Sequence, residues 1–188
     1  MLPAIRLLSE AAELAAHRHN GMARKGRGSE PYINHLAEVA NLLATASDGE
    51  DAELVAAGWL HDTIEDTATT REELARKFSE RVASLVVECT DDMSLPKAER
   101  RRLQAVNAPH KSPGAKLIKI ADKVSNIRAR IFPHASREQC NELAEYVAWA
   151  EQVVNGCRGV NAVLDTLFDE AVCQCQEHAE RAIADWHN

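Results

Sequence analysis

The chain has 188 residues, a formal net charge of −7 at pH 7, and a composition that is 45% hydrophobic but only 4% aromatic. This length predicts one domain spanning residues 1–188, with a core built mainly of Leu, Ile, Val and Ala. The acidic balance disfavours DNA or RNA polymers as partners, because their phosphate backbones repel an acidic surface. The longest apolar run, Leu54 to Leu60, is much shorter than the ~20 residues of a membrane span, so no membrane partner is expected.

Cysteine content and the N-terminal sequence indicate the cellular compartment. The five cysteines are odd in number and mostly scattered, which favours reduced thiols over a disulfide framework. The N-terminus has no basic start followed by an apolar block, so it does not resemble a signal peptide. We therefore expect a cytoplasmic protein.

Helical periodicity dominates the chain and alternating strand patterns are absent, which predicts an all-α fold of about eight to ten helices. A loop rich in glycine and charge follows the first helix, and turns with proline, glycine or capping residues separate the later segments. Four predicted helices cover about residues 3–19, 32–47, 51–64 and 71–89. Three more begin near Ser94 to Pro96, near Pro113 and near Ser136, and a last helix covers about 160–186.

Two sequence signals mark helix starts. Thr70 and Glu73 have the form of a capping box, in which each side chain satisfies a backbone donor at the other residue. Ser136 and Gln139 have the same form. After the first box, apolar residues fall on one helical stripe, so a single helix is predicted over residues 71–89.

The segment HDTIED is the sharpest chemical feature of the sequence. Residues four apart lie on one face of a helix, which would place His61 over Glu65 and, in a second column, Asp62 over Asp66. Two acids at a helix C-terminus are unfavourable because of the helix dipole, and a bound metal cation would relieve this. The alternative interpretation is an exposed acidic helix end.

Two further residues extend this feature into a candidate metal site. The apolar stretch before His61 is expected to be buried, so the His-Asp pair emerges from the core. His35 follows another helix start, and Asp122 is an acid within a basic segment. Two imidazoles and two carboxylates suit Mn²⁺, Fe²⁺ or Co²⁺ with open positions for water better than a closed structural zinc site. Spacing alone does not bring these residues together.

Basic residues are clustered despite the acidic total. Between Lys111 and Arg130 there are six basic residues and one acid, and Arg24, Lys25 and Arg27 form a second cluster. Arg100, Arg101 and Arg102 form a third. Such clusters could hold a small polyanion, or they could be solvated helix faces. Lys97 and the arginine run after it could reach phosphates, and Tyr146 could either rim a nucleotide pocket or pack in the core.

Several motifs give the chain a resemblance to a known family. It resembles the HD superfamily of metal-dependent phosphohydrolases and, within it, the RelA/SpoT-type (p)ppGpp hydrolases, most closely the small alarmone hydrolases that include the metazoan SpoT homologue. The resemblance covers about residues 5–165. The motifs that carry it are ARKG (23–26), PYINH (31–35), HDTIEDT (61–67), TDD (90–92), LPKAERRRLQ (95–104), SPGAKLIKIADKVSNIR (112–128) and YVAWAEQVVNGCRGVN (146–161).

The resemblance implies Mn²⁺-dependent hydrolysis of the 3′-pyrophosphate of (p)ppGpp, which gives GDP or GTP and pyrophosphate. It implies one Mn²⁺ ion, with Fe²⁺ or Co²⁺ as possible substitutes, and Glu65 and Asp66 as catalytic acids whose individual roles stay open. It also implies that Arg24, Lys25 and Asn126 contact the small-molecule nucleotide. The implied metal ligands are His35, His61, Asp62 and Asp122.

Departures from the family pattern leave alternatives open. Leu36, Glu30, Met22-Ala23 and Ser125 replace common family residues, and several of these are expected around the base pocket. The same metal site could therefore act on (p)ppApp or on the 2′-phosphate of NADPH. A non-catalytic alarmone-binding module is disfavoured, because a pure binder does not need two acids facing an anionic ligand. The final helix could close the core or form a homodimer contact.

Overall fold

Ten α-helices and one short 3₁₀ turn make up the regular structure in the computed structural model, which describes residues 2–24, 30–132 and 135–185. The described residues contain no strand, only an isolated bridge between Ala23 and Pro31, so the predicted all-α fold is confirmed. The helices are α1 (Ala4–Arg18), α2 (Ile33–Ala46), α3 (Ala52–Leu60), α4 (Thr63–Asp66), α5 (Arg71–Lys77), α6 (Glu80–Cys89), α7 (Lys97–Asn107), α8 (Pro113–Arg128), α9 (Arg137–Asn155) and α10 (Ala162–Asp185), with the 3₁₀ turn at Ala108–His110.

Two central helices organise the core. The α3 sequence AELVAAGWL is apolar on nearly every face, and such a helix is stable only when surrounded; it packs against α1, α2, α6 and α8. The α8 helix in turn contacts α2, α6, α9 and α10. The final helix closes this core, since Leu164 and Phe168 of α10 are completely buried. A homodimer contact stays a prediction.

The predicted helix over residues 51–64 is wrong in one respect, because it breaks after Leu60. The side chain of Thr63 donates to Leu60 O at 2.6 Å, and the His61 ring lies 2.9 Å from Gly58 O. These side chains take backbone carbonyls that a continuous helix would use, which favours a turn. The next turn is the four-residue α4, so the two columns of a single straight helix do not form.

The predicted helix over residues 71–89 is also divided. Ser79 is extended, and its hydroxyl accepts from Val82 N at 3.1 Å, so it caps a new helix, α6. Phe78 turns the chain between α5 and α6 while it and Leu74 stay buried in the same core. The apolar stripe thus continues across a helix break that periodicity does not detect.

The two predicted capping boxes have different outcomes. Ser136 and Gln139 make both reciprocal hydrogen bonds, at 3.2 and 2.8 Å. Thr70 accepts from Glu73 N at 3.2 Å, but the Glu73 carboxylate pairs with Arg18 at 2.7 Å. The box at Ser136 is therefore complete, whereas the one at Thr70 keeps its N-cap and uses its acid for an ion pair with α1.

Two expectations about membranes and disulfides concern the helices and the cysteines. None of the described helices has the length and hydropathy to cross a bilayer. All five cysteines are unpaired thiols.

A close helix contact makes Gly58 sensitive to substitution. A Cβ added at Gly58 would lie 2.5 Å from Leu43 Cδ1 and 3.3 Å from Ala40 Cα on α2. Both neighbours are buried, so they have little room to move. The approach of α2 and α3, which carry His35 and lead into His61, therefore depends on the missing side chain.

We expect Gly58→Ala to lower the free energy of unfolding by about 1–3 kcal/mol through overpacking, although alanine normally stabilises a helix interior relative to glycine. Urea unfolding of Gly58→Ala, Leu43→Ala and the double variant measures this. In the Leu43→Ala background the cost should fall, because the clashing methyl is gone. A Gly58→Ala protein more stable than the parent would contradict the close contact.

Candidate active site

Four side chains from three separate segments meet at one point. His35 lies on α2, His61 and Asp62 lie in the turn after α3, and Asp122 lies on α8. His35 Nε2 is 3.5 Å from Asp62 Oδ2 and 3.4 Å from Asp122 Oδ1. His61 Nε2 is 3.1 Å from Asp62 Oδ2 and 3.9 Å from Asp122 Oδ1. The structure therefore brings together the four residues that the sequence analysis could not join by spacing.

The donor set fits a divalent cation. Ligand atoms of His35, His61 and Asp62 all lie within 4.8 Å of one another. Although Asp62 Oδ2 is 3.1 Å away, the buried His61 Nε2 makes no hydrogen bond of suitable geometry to the described residues, and a buried polar atom left unpaired is costly. Imidazole nitrogens and carboxylate oxygens are the ligands that first-row divalent ions prefer. A cation would satisfy the orphaned nitrogen and neutralise the carboxylates.

The local charges keep the two carboxylates ionised. Burial would raise the pKa of Asp62, but the neighbouring His61 outweighs it and holds that pKa well below its usual range. Burial likewise opposes ionisation of Asp122, and Lys123, at 2.7 Å, helps to hold the pKa of Asp122 well below its usual value. Burial lowers the pKa of His61, yet both carboxylates reverse this and raise it. Asp62 and Asp122 are thus held as charged oxygen donors.

The two candidate catalytic acids have different environments. Glu65 is half-buried on α4, and its Oε2 accepts from Asp91 N at 2.9 Å. Burial raises the pKa of Glu65, although the Asp91 N–H bond opposes the shift. Its Oε1 is 3.9 Å from Arg100 Nη1. Asp66 is exposed at the end of the same short helix, whereas the burial of Glu65 helps its carboxyl to hold a proton.

A cleft of about 280 Å³ opens over the candidate metal site, and three predicted substrate contacts line it. They are Lys97, Asn126 and Tyr146. A second hollow of about 520 Å³ shares Asp62, Glu65 and Asn126 with the first and extends to Asp66 and Arg24. The cleft walls also carry several cations that could face phosphate groups, namely Lys97, Arg100, Arg101, Lys119, Lys123 and Arg130.

Aromatic residues of α9 hold some of these cations in place. The Arg101 guanidinium carbon is 4.8 Å and Lys123 Nζ is 4.5 Å from the centre of the Trp149 ring. Trp149 Nε1 donates to Arg101 O at 2.9 Å. Arg130 lies 3.8 Å over the ring of Tyr146, which is buried. Trp149 and Tyr146 therefore pack inward while they orient cations at the cleft.

The predicted arginine and lysine contacts from the glycine-rich loop have separate outcomes. Arg24 is buried, and its Nη2 donates to the backbone and hydroxyl oxygens of Ser125 at 2.9 Å each. Arg24 therefore lines the larger hollow but is held mainly by protein groups. Lys25 lies outside the described residues. In the arginine run, Arg100 and Arg101 line the cleft, whereas Arg102 pairs with Glu99 on an exposed face.

Sequence reasoning missed two residues that contact the candidate metal site or the residue behind it. The Tyr32 hydroxyl donates to Asp62 Oδ2 at 2.6 Å, and Glu38 Oε2 accepts from the Ser125 hydroxyl at 2.6 Å. Tyr32 lies three positions before His35 and Glu38 three positions after it, so both share the helix face of His35. This spacing is a sequence signal that could have indicated them. Ser125 was expected near the base pocket, but it is buried behind His35.

Comparison with known proteins identifies the family. The HD domain model matches residues 11–148. Guanosine-3′,5′-bis(diphosphate) 3′-pyrophosphohydrolase MESH1 of Xenopus tropicalis is 45% identical over 165 residues, which cover 87% of this chain and 91% of that protein. The Homo sapiens MESH1 is 46% identical over 160 residues, 84% and 88% of the two chains. A solved structure of a metazoan SpoT ortholog, described as hydrolysing ppGpp, superposes with a TM-score of 0.82 at 37% identity over 93% of this chain and 97% of that one. The chain therefore belongs to the HD-domain family and, within it, to the MESH1 group.

Proposed function

We propose that the chain is a Mn²⁺-dependent hydrolase that removes the 3′-pyrophosphate of (p)ppGpp and releases GDP or GTP. The observation that carries this proposal is the convergence of two imidazoles and two ionised carboxylates beneath a cleft lined with cations. The MESH1 relatives and the SpoT ortholog, named for action on this nucleotide, support the substrate.

The residues that would hold the ion are His35, His61, Asp62 and Asp122. A bound divalent cation supplies charge neutralisation at the phosphoryl group and lowers the pKa of a water molecule. The protein prepares two of these ligands through Tyr32, which donates to Asp62, and Lys123, which pairs with Asp122.

Glu65 is our candidate for proton transfer. A carboxyl whose pKa is raised by burial can hold a proton closer to neutral pH and can exchange it with a reacting oxygen. Asp66, exposed on the same helix turn, would have a supporting role. The cations on α7 and α8 would bind the pyrophosphate and stabilise negative charge on its oxygens.

Replacing a ligand should remove the metal and the activity together. We expect Asp122→Asn to lower manganese content after dialysis and to abolish pyrophosphate release, since one of the two anionic ligands is lost. Metal analysis and a pyrophosphate assay test this, with Asp169→Asn on the exposed face of α10 as the control. Full activity in a thoroughly chelated wild-type protein would contradict metal dependence.

The two acids should contribute unequally. We expect Glu65→Gln to reduce kcat by ~10²–10⁴-fold, the usual contribution of a positioned general acid or base, and Asp66→Asn to reduce it less. Steady-state kinetics with ppGpp measure both, and Glu72→Gln, an exposed acid on α5, is the control. If Glu65→Gln kept wild-type turnover, the assignment of proton transfer to Glu65 would fail.

The arginine run offers a matched pair for the phosphate contacts. We expect Arg101→Ala to raise KM roughly tenfold or more, because a charge-assisted hydrogen bond contributes ~1.5–3 kcal/mol. Arg102→Ala, which removes the adjacent but outward-facing guanidinium, should leave KM unchanged. Equal effects of the two substitutions would show that only general surface charge matters.

The substrate is tested by incubating the Mn²⁺-loaded protein separately with ppGpp, ppApp and NADPH. Pyrophosphate release from ppGpp is the expected result. Release from ppApp alone would move the specificity to adenine nucleotides, and phosphate from NADPH would broaden the activity. Nucleotide binding without any release would instead support a non-catalytic binding module.

A further inference from the structure

Ser125 connects a candidate metal ligand to a carboxylate on α2. It lies on α8 three residues after Asp122 and is completely buried. Its Oγ is 2.9 Å from His35 Nδ1, 2.6 Å from Glu38 Oε2 and 2.9 Å from Arg24 Nη2. These contacts leave the other ring nitrogen, His35 Nε2, to face the metal centre.

The hydrogens of this cluster can be assigned from donor and acceptor capacity. A guanidinium only donates, and the two hydrogens of Arg24 Nη2 have acceptors in the Oγ and backbone O of Ser125. A carboxylate only accepts, so the Ser125 hydroxyl hydrogen points to Glu38. One lone pair of the hydroxyl then remains, and a hydrogen on His35 Nδ1 fills it.

We propose that Ser125, oriented by Glu38, is a positioning residue that keeps His35 in the tautomer with its hydrogen on Nδ1. Nε2 is then unprotonated and lies 3.5 Å from an Asp62 oxygen and 3.4 Å from an Asp122 oxygen. Three electron-pair donors that converge in this way bind a cation. This inference rests on the metal centre of the proposed function.

The arrangement extends a common device of metal sites. A histidine that binds a metal usually donates its other ring N–H to a carboxylate or carbonyl, which fixes the ring and its tautomer. Here a hydroxyl stands between ring and carboxylate. Two arginines lie close to the Glu38 carboxylate, with Arg128 Nη1 at 3.4 Å and Arg24 Nη1 at 3.9 Å. Their positive charges offset the negative charge of this carboxylate, which accepts the hydrogen bond from Ser125.

Ser125→Ala removes the hydroxyl oxygen that accepts from His35 Nδ1 and Arg24 Nη2. One hydrogen of Arg24 Nη2 then has no acceptor on residue 125. Arg24 Nη2 is only 3.2 Å from His35 Nδ1, so it can then donate to that nitrogen and favour the tautomer with hydrogen on Nε2. Nitrogen-edited NMR of the histidine rings of metal-free protein distinguishes the two tautomers. We expect the Nδ1–H form in the wild type, its loss in Ser125→Ala and its return in Ser125→Thr.

Manganese titration by calorimetry provides the second readout. We expect Ser125→Ala to bind Mn²⁺ ~10–100-fold more weakly, as when a supporting partner of a ligand is removed, and Ser125→Thr to recover most of the affinity. Ser47→Ala removes a hydroxyl that donates to Leu43 O at 2.8 Å at the far end of α2, so it should change neither readout.

Two results would overturn the proposal. One is the finding that His35 of the wild-type protein carries its hydrogen on Nε2. This result does not depend on the folding of any variant. The other is a Ser125→Ala protein that keeps both the Nδ1–H form and wild-type manganese affinity. A wild-type protein that shows the Nδ1–H form but binds no Mn²⁺ would contradict the proposed metal dependence, while the role of Ser125 in the tautomer would stand.

Discussion

Two imidazoles and two ionised carboxylates are held together at the edge of an apolar core, and the rest of the structure accommodates that arrangement. Removing carboxylates from water costs several kcal/mol per ion unless opposite charges and hydrogen bonds compensate. Lys123 and Tyr32 supply part of this compensation for Asp122 and Asp62. The remainder matches what a divalent cation would provide. Helices α2, α3 and α8 can hold these charged groups in place because their other faces are buried in one continuous core.

The distribution of positive charge reconciles an acidic protein with a polyanionic substrate. The chain carries a net charge of −7, yet cations from α7 and α8 gather on the walls of one cleft. Stacking on Trp149 and Tyr146 limits the freedom of Arg101, Lys123 and Arg130. Cations that are already ordered lose less entropy when they bind phosphate.

Local sequence patterns predicted the helical class, the Ser136 capping box and the identity of the four converging residues. They could not predict the convergence itself, because His35 and Asp122 are far apart in the chain and meet only through packing of α2 against α8. The motif resemblance supplied that link before any geometry was known. The same limit explains why Glu38 was missed: it looks like an exposed helix acid until Ser125 and Arg128 are placed beside it.

The failed helix prediction at residues 51–64 lies at the chemical centre, and this has a physical reason. Adjacent residues on an α-helix point about 100° apart, so an uninterrupted helix would direct His61 and Asp62 to different surroundings. Side-chain bonds from Thr63 and His61 to α3 carbonyls end the helix at Leu60. Both members of the His-Asp pair then reach the same point, with Nε2 and Oδ2 3.1 Å apart. Periodicity favours continuation there, and the polar contacts that build the site prevail over it.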